Sequence, residues 1–321
     1  MRRVIVFTHG GGRLGNQLIN FGHLLAVFED WNREFNVVNM AFWPFADYFE
    51  WSARNPLCAV AEGSWRTLPF MTHLRNTFGD EASIHSENLA KHKLHKWAKR
   101  IPYCQSIDLG VLVNGFHDLL GPLLLKQIGG ARFTALSGWP LRQWDSFKRH
   151  EEMIRRFFRP VSSFRQKGEG FVKELRLTHK TIIGVYIRQG DYRQNGYMHY
   201  HPPDCYAKWM RQFLARYRCE SPMFLIFSDE HVDLSVFDRM PVKAGTGNGG
   251  GSGHFMENLV ELSECDWIIS SPSTFAAWAS FTGKVPLLPI ASRESDLSEA
   301  VPISGCLDEM RMHPAFGSAV V

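Results

Sequence analysis

The stretch VIVFTHGGGRLGNQLINFGHLLAVFED, Val4–Asp30, decides the fold of the first part of the chain. Its opening apolar run predicts a buried strand, and the large apolar residues after the glycines predict a helix with Asn16 as N-cap. Gly10, Gly12 and Gly15 between them fit the G-x-G-x-x-G pattern of dinucleotide sites. Strand, glycine turn and helix in this order are typical of a Rossmann-like unit.

The second predicted strand tests whether this loop binds a dinucleotide. An NAD site needs an acidic residue at the end of that strand, about 20 residues after the glycines, and an NADP site uses a nearby arginine. Here the strand is Phe35–Met40, and neither residue type stands at its end. The glycines still allow a close backbone approach to an anion or a sugar. An NAD(P)-dependent oxidoreductase stays an alternative that rests on the glycines alone.

Continuous apolar runs recur along the chain with helical stretches between them, a pattern typical of parallel strands covered on both faces. The length of 321 residues suits two domains. We therefore predict an α/β protein with two Rossmann-like domains that face a central cleft, residues 1–158 and 159–321. The predicted strands are Val4–Thr8, Phe35–Met40, Thr134–Gly138, Thr181–Arg188, Met223–Ser228, Trp267–Ser270 and Val285–Pro289.

The composition and net charge of the chain indicate which kinds of ligand and location to expect. The net charge of +4 suits an anionic ligand but gives no argument for nucleic-acid binding. The six cysteines are scattered without zinc spacing. No signal peptide or apolar run long enough to span a membrane is recognisable, so the expected location is cytoplasmic. The basic run Lys91–Arg100 predicts a solvated helix face, with contact to an anionic acceptor or a membrane surface as the alternative.

A second motif, GVYIRQGDYR, spans Gly184–Arg193. A buried strand ends at Arg188, and the carboxyl ends of strands are where α/β sheets bind ligands. The planar guanidinium suits a diphosphate because it donates two parallel hydrogen bonds. The alternative is a structural pair of Arg188 with Asp191 that braces the turn.

Two further strand ends carry polar residues. The motif FLIFSDE ends in Ser228 and Asp229, where a carboxylate can accept hydrogen bonds from a guanine edge or a ribose. After Trp267–Ser270 comes a hydroxyl-rich turn with Ser273 at the start of a helix, which predicts a phosphate site. Together these ends predict a nucleoside diphosphate pocket that stabilises a departing diphosphate most strongly in the transition state.

These motifs resemble those of the α-1,2-fucosyltransferase family, a glycosyltransferase family 11-like group. The loop GGGRLGNQ resembles its G-G-L-G-N-Q, and IFSDE resembles its F-S-D-D. The segment VYIRQGDY is similar to its V-H-I-R-R-G-D-Y, which α-1,6- and protein O-fucosyltransferases share in looser form. The matches lie in the order of the family, near the two ends of the chain.

The resemblance implies an inverting, metal-independent GT-B glycosyltransferase that moves fucose from GDP-fucose to a glycan in surface polysaccharide synthesis. Its partners would be a nucleotide sugar and an oligosaccharide or lipid-linked acceptor, without nucleic acid or cofactor. Residues 1–158 would form the acceptor side, and 159–321 the donor domain with Arg188 on the β-phosphate and Asp229 near the nucleoside. The implied donor-binding residues are Gly11, Gly12, Arg13, Gly15, Asn16, Gln17, Tyr186, Gln189, Ser228, Asp229, Ser271, Ser273, Thr274 and Phe275.

The chain departs from the family pattern in the serine turn, where Ser270-Ser-Pro-Ser-Thr-Phe275 replaces the usual Asn-Ser-Ser-Phe-Ser run, and in the second motif. Tyr186 replaces the histidine of the second motif and Gln189 replaces its second arginine. The donor pocket therefore carries less positive charge, which leaves a catalytically weakened nucleotide- or glycan-binding GT-B protein as a further alternative.

The general base is not assigned by the sequence. Asp191 is a catalytic candidate beside Arg188, and His199, His201 and Asp204 follow it closely. His199 and His201 could also form a metal pair, but no third ligand has suitable spacing, so no metal site is predicted. The glycine-rich segment Gly245–Gly253 predicts either a mobile surface linker or a flexible flap near a ligand.

Overall fold

A computed structural model defines the architecture of the chain. It describes residues 3–9, 13–31, 35–39, 42, 45, 47–50, 100, 104–108, 130–137, 142–194, 196, 199–297, 300–307, 309 and 313. The chain divides into two compact units, Met1–Arg159 and Pro160–Val321. Most of the predicted basic run Lys91–Arg100 and of the stretch before it lies outside the described residues.

The first unit contains a four-stranded parallel sheet in the order β2-β1-β4-β3. The apolar residues of α1 pack against α2 and α3, so the helix that follows the glycine loop is almost entirely buried. The elements are β1 (Arg3–His9), α1 (Leu14–Asp30), β2 (Phe35–Asn39), β3 (Cys104–Asp108), β4 (Phe133–Ser137), α2 (Trp144–Arg149) and α3 (Glu151–Phe157).

The second unit contains a five-stranded parallel sheet in the order β7-β6-β5-β8-β9. Its elements are α4 (Ser162–Leu175), β5 (Thr181–Ile187), α5 (Gly190–Gln194), α6 (Pro203–Arg216), β6 (Pro222–Ser228), β7 (Val242–Ala244), α7 (Phe255–Ser263), β8 (Trp267–Ser270), α8 (Thr274–Gly283) and β9 (Leu287–Pro289).

Strand β5 explains why this sheet is covered on both faces. Ile183 and Val185 join a buried cluster with Trp209 of α6. Gly184 between them faces α7, where a Cβ atom would lie 2.5 Å from the Cδ1 of Leu262. Because successive residues of a strand point to opposite faces, helices must cover both sides of the sheet. The continuous apolar runs of the sequence reflect this double burial.

The structure differs from the sequence predictions in three details. Helix α1 begins at Leu14, and Gln17 N donates to Arg13 O, so Asn16 lies inside the first turn and is not the N-cap. Two strands were not predicted. One is β3, whose sequence CQSID is largely polar, and the other is β7, which has only three residues.

The glycine-rich segment packs closely against its neighbours. Gly247 N donates to Asn258 Oδ1 at 2.9 Å, and Thr246 N donates to Glu261 at 3.1 Å, which anchors the segment to α7. Gly249 has φ +85°, and a Cβ there would lie 2.2 Å from Ser228 O at the end of β6. The prediction from composition missed this role, because these glycines permit close backbone packing instead of leaving the segment without contacts.

Within the described part of the chain, no helix combines the length and apolar character needed to cross a membrane. The cysteines in this part, Cys104, Cys205, Cys219, Cys265 and Cys306, are free thiols.

Candidate functional site

The register of the second sheet brings the predicted strand ends together. Ile187 of β5 pairs with Ser228 of β6, and Tyr186 pairs with Ser270 of β8. The segments that leave these three neighbouring strands therefore start at the same edge of the sheet. This edge collects the arginine motif, the aspartate motif and the serine turn within one unit.

Arg188 lies between two carboxylates at this edge. Its Nη2 is 2.7 Å from Asp191 Oδ1 and its Nη1 is 2.8 Å from Asp229 Oδ2, and 12% of its side chain is exposed. The local pair with Asp191 has the geometry of the structural alternative drawn from the sequence. The pair with Asp229 joins β5 to β6 and was not predicted.

Asp229 is held by the backbone of the arginine motif as well. Gln189 N donates to Asp229 Oδ1 at 2.8 Å, and a Cβ on Gly190 would lie 2.6 Å from Asp229 Oδ2. Asp229 can take this place only because residue 190 has no side chain. Contact of Asp229 with a nucleoside, expected from the resemblance, stays a prediction.

Burial and neighbouring charges change the pKa of Arg188 in opposite directions. Burial by itself lowers the pKa of Arg188, but interactions with Tyr186, Asp229 and Asp191 outweigh it and raise this pKa above its ordinary value. Tyr186 is itself buried and stacks on Phe275, with ring centroids 5.2 Å apart. The guanidinium is therefore a permanent positive charge beside a stacked aromatic pair.

The serine turn after β8 is buried and leads into α8. Ser270, Ser271 and Ser273 are each at most 5% exposed. Ser273 occupies the N-cap position of α8 and makes no side-chain capping hydrogen bond, and Thr274 and Phe275 open the first turn. A helix N-terminus with buried hydroxyls beside it attracts an anion, since its first backbone N–H groups have no partner within the helix.

Two residues of the arginine motif extend the site. Gln189 is 5% exposed, and its Nε2 is buried without a hydrogen-bond partner in the described part of the chain. Tyr192 was not assigned from the sequence, although it stands in the quoted motif. Its hydroxyl donates to Pro272 O at 2.7 Å, and its ring lies 5.6 Å from Arg188 Cζ. The position of Tyr192 directly after Gly190-Asp191, in the segment that follows Arg188, is the sequence feature that could have identified it as a site residue.

The histidine candidates lie in the interior. His201 is fully buried, with its ring 5.2 Å from that of Trp209, and burial together with His199 lowers its pKa to about 4. His199 is 9% exposed, and its Nδ1 lies 3.4 Å from Ala291 O. Both are enclosed, so neither presents a ring to solvent. The general base stays unassigned, and the accessible candidates are Asp191, whose side chain is 31% exposed, and the exposed Asp204 at the start of α6.

The predicted loop residues of the first unit fall at the start of α1. Arg13 is exposed just before the helix, while Gly15, Asn16 and Gln17 form its first turn, with Gly15 and Gln17 buried. Gly11 and Gly12 lie outside the described residues, so their predicted role in donor binding stays a prediction.

No group of three or more His, Cys, Asp or Glu side chains in the described ranges is arranged to hold a metal ion. The positive elements at the sheet edge are instead the Arg188 guanidinium and the N-terminus of α8. A diphosphate placed there would meet charge-assisted hydrogen bonds from the first and backbone N–H groups from the second. This arrangement can stabilise charge that develops on a phosphate leaving group.

Comparison with known proteins identifies relatives of this chain. Residues 131–294, about half of the chain, match the model of the family described as glycosyl transferase family 11. The galactoside alpha-(1,2)-fucosyltransferase 1 of Saimiri boliviensis boliviensis is 27% identical over 165 residues, covering 47% of this chain and 43% of the relative. The protein of the same description from Gorilla gorilla gorilla is 28% identical with the same coverage. The chain thus spans less than half the length of these curated relatives.

Solved structures share the fold. A mutant of Arabidopsis thaliana FUT1 in complex with GDP is 13% identical and gives a TM-score of 0.55 over 94% of this chain and 74% of that one. The alpha-1,6-fucosyltransferase NodZ, co-crystallised with GDP, is 13% identical and gives 0.51 over 95% of this chain and 99% of that one. A further NodZ structure, from Bradyrhizobium, gives a TM-score of 0.50. These likenesses confirm the prediction of a GT-B-like α/β fold with two Rossmann-like sheets.

Proposed function

The chain belongs to glycosyl transferase family 11, and from this premise we propose that it transfers fucose from GDP-fucose to a hydroxyl of a glycan acceptor. The curated relatives are fucosyltransferases, and two of the fold neighbours, Arabidopsis thaliana FUT1 and NodZ, have structures with GDP. Membership of a glycosyltransferase family argues against the oxidoreductase alternative, which rested on three glycines alone.

The observation that carries the proposal is the position of Arg188 beside the serine turn at one sheet edge. Transfer of the sugar breaks its bond to the β-phosphate, and negative charge grows on the departing GDP. Arg188 and the N-terminus of α8 stand where they can stabilise that charge. Since the charge is larger in the transition state than in the bound donor, these groups lower the barrier of the transfer step.

Each Nη atom of Arg188 contacts a carboxylate, so a phosphate that binds both Nη atoms side by side competes with one of these carboxylates. Asp229 is 14% exposed and is also held by Gln189 N, whereas Asp191 is 31% exposed and belongs to the same local turn as Arg188. We infer that the phosphate replaces Asp191 and that Asp229 keeps its place. The released Asp191 carboxylate would then be free to accept the proton of the acceptor hydroxyl.

Finer parts of the proposal rest on the family resemblance. They are an inverting, metal-independent mechanism, an oligosaccharide or lipid-linked acceptor, a role in surface polysaccharide synthesis, and a cytoplasmic location with peripheral membrane contact as an option. The Gly11–Gln17 loop is proposed to complete the donor site.

Ligand titration tests the donor class. We expect GDP to bind the full chain at least tenfold more tightly than UDP or NAD, and GDP-fucose to be turned over with an oligosaccharide panel. Preferred binding of NAD would overturn the proposal in favour of an oxidoreductase.

A second candidate, a nucleotide-binding protein with weakened catalysis, is favoured by the two carboxylates that already occupy Arg188. Tight GDP binding without transfer to any acceptor of the panel would support this candidate. Transfer at a measurable rate would exclude it.

A further inference from the structure

Tyr192 makes contact with both halves of the proposed phosphate site. The centre of its ring lies 5.6 Å from Arg188 Cζ, within the range of a cation–π interaction. Its hydroxyl donates to Pro272 O at 2.7 Å. Pro272 is the middle of the serine turn that joins β8 to α8. One side chain therefore connects the arginine to the turn.

Several contacts hold the turn in place, and within it Ser271 interacts with the buried Tyr206 of α6. Ser273 makes no capping hydrogen bond at the start of α8, and Ser270 Oγ donates within the turn, to Ser271 O at 2.6 Å. Ile290 N donates to Ser270 O at 2.9 Å, which ties the turn toward β9. The Tyr192 hydroxyl ties it in the other direction, toward the segment that carries Arg188.

The segment that carries Tyr192 is short. Helix α5 has five residues, Gly190–Gln194, and a helix of this length has little stability of its own. Its position is set by side-chain contacts, among them the pair of Arg188 with Asp191 and the pair of Arg193 with Glu230 at 2.6 Å. The contact of Tyr192 with Pro272 adds the link to the serine turn.

We propose that Tyr192 is a positioning residue that holds the Arg188 guanidinium and the serine turn at a fixed separation, so that both engage the diphosphate of the donor together. The inference rests on the proposed function, because it assumes that a nucleoside diphosphate binds at this edge. Positioning of this kind matters since small displacements of catalytic groups weaken their contact with developing charge.

Three variants separate the two contacts of Tyr192. Tyr192→Phe keeps the ring over Arg188 and removes the hydrogen bond to Pro272 O, while Tyr192→Leu removes both. Tyr217→Phe is the matched control, because Tyr217 also has a buried hydroxyl but packs against Trp267 at the opposite, amino-terminal end of β8. The probes are GDP and guanosine, titrated by calorimetry against the full chain, with Tm measured for each variant.

We expect GDP affinity to fall about fivefold in Tyr192→Phe, the effect of one ordinary hydrogen bond, and about fivefold further in Tyr192→Leu. Guanosine affinity and Tm should stay near the values of the unmodified chain in Tyr192→Phe. The Tyr217→Phe control should bind GDP normally. In a double-mutant cycle, Tyr192→Leu and Arg188→Lys should have less than additive effects on GDP affinity, because they disturb one shared contact.

Unchanged GDP affinity in Tyr192→Leu would overturn the inference. An equal loss of guanosine and GDP affinity in Tyr192→Phe would also overturn it, since that pattern indicates a general structural role. Failure of the unmodified chain to bind GDP would instead refute the proposed function. The two failures are therefore distinguishable from the titration of the unmodified chain.

Discussion

Arg188 Nη1 lies 2.8 Å from Asp229 Oδ2, and this ion pair joins the residues that directly follow two neighbouring strands, β5 and β6. The two side chains are 12% and 14% exposed, so the pair is largely shielded from water. Such a pair is costly to break from one side, because the remaining charge stays buried without its partner. The arginine proposed to hold the donor is thus also part of the structure of the sheet edge.

Replacement of Arg188 should therefore affect both catalysis and stability. We expect Arg188→Ala to abolish transfer and to lower the free energy of unfolding by about 3 kcal/mol, because Asp191 and Asp229 would lose their shared cation. Arg188→Lys keeps the charge but not the planar fork, so it should stay folded while kcat falls about 100- to 1000-fold. Denaturant unfolding and transfer assays with GDP-fucose measure the two effects. Near-normal kcat in the lysine variant would contradict the phosphate-binding role.

The carboxylate partner can be tested separately. Asp229→Asn keeps an acceptor for Gln189 N but removes the negative charge that pairs with Arg188, so kcat/KM should fall about tenfold or more. Guanosine affinity should not change if Asp229 acts through Arg188. The control is Asp238→Asn, an exposed carboxylate whose side chain is 80% accessible. A matching loss of guanosine affinity would support the nucleoside contact predicted from the family resemblance.

Gly190→Ala tests the close approach of the turn to Asp229. The added methyl group would lie 2.6 Å from Asp229 Oδ2 and should push the carboxylate away from Arg188. We expect the same direction of change in kcat/KM as in Asp229→Asn, together with a lower Tm. Gly170→Ala is the control, because this glycine lies in α4 with open space around it and should stabilise the chain by up to ~1 kcal/mol. A kcat/KM equal to that of Gly170→Ala would show that the turn accommodates the added methyl group without moving Asp229 away from Arg188.

A pH-dependent stability is expected from Glu261. This side chain is buried, and burial together with the nearby Glu257 raises its pKa from 4.5 to about 7, although the hydrogen bonds that it accepts from Thr246 act in the opposite direction. An acid with a raised pKa in the folded state stabilises the fold fully below its unfolded pKa, and this contribution is lost as the pH rises through the folded value. The free energy of unfolding should therefore fall by roughly 3 kcal/mol between pH 4.5 and 7.

The comparison variant for this prediction is Glu261→Gln. Its side chain cannot ionise, so most of the slope of the free energy of unfolding against pH should disappear over that range. Glu220→Gln, an exposed substitution, should leave the slope in place. Urea unfolding at several pH values measures the free energy of unfolding of the unmodified chain and of the two variants. Equal slopes in all of them would assign the pH dependence to other groups.

Chelation tests the proposed metal-independent mechanism. Arg188 and the N-terminus of α8 are expected to supply the positive charge that a divalent ion provides in other transferases. Transfer from GDP-fucose should therefore continue at an unchanged rate in excess EDTA. Loss of activity in EDTA that manganese or magnesium restores would show that the diphosphate needs a metal bridge.

The sequence by itself determined most elements of the second unit. Apolar runs such as Thr181–Ile187 and Trp267–Ser270 predicted buried strands because both of their faces had to be covered. Motif order also placed Arg188, Asp229 and Ser273 at strand ends, which parallel strands bring to one edge. These are local patterns, so they can be read without the fold.

Only the tertiary structure decided the partners of these residues. The pairing of Arg188 with Asp229, the contact of Tyr192 with Pro272, and the packing of Gly249 on Ser228 O join segments that are far apart in the chain. Such contacts depend on strand order and register, which place β6 and β8 on either side of β5. A carboxylate in a motif has the same spacing whether it contacts a ligand or a neighbouring arginine, and only the packed sheet distinguishes the two.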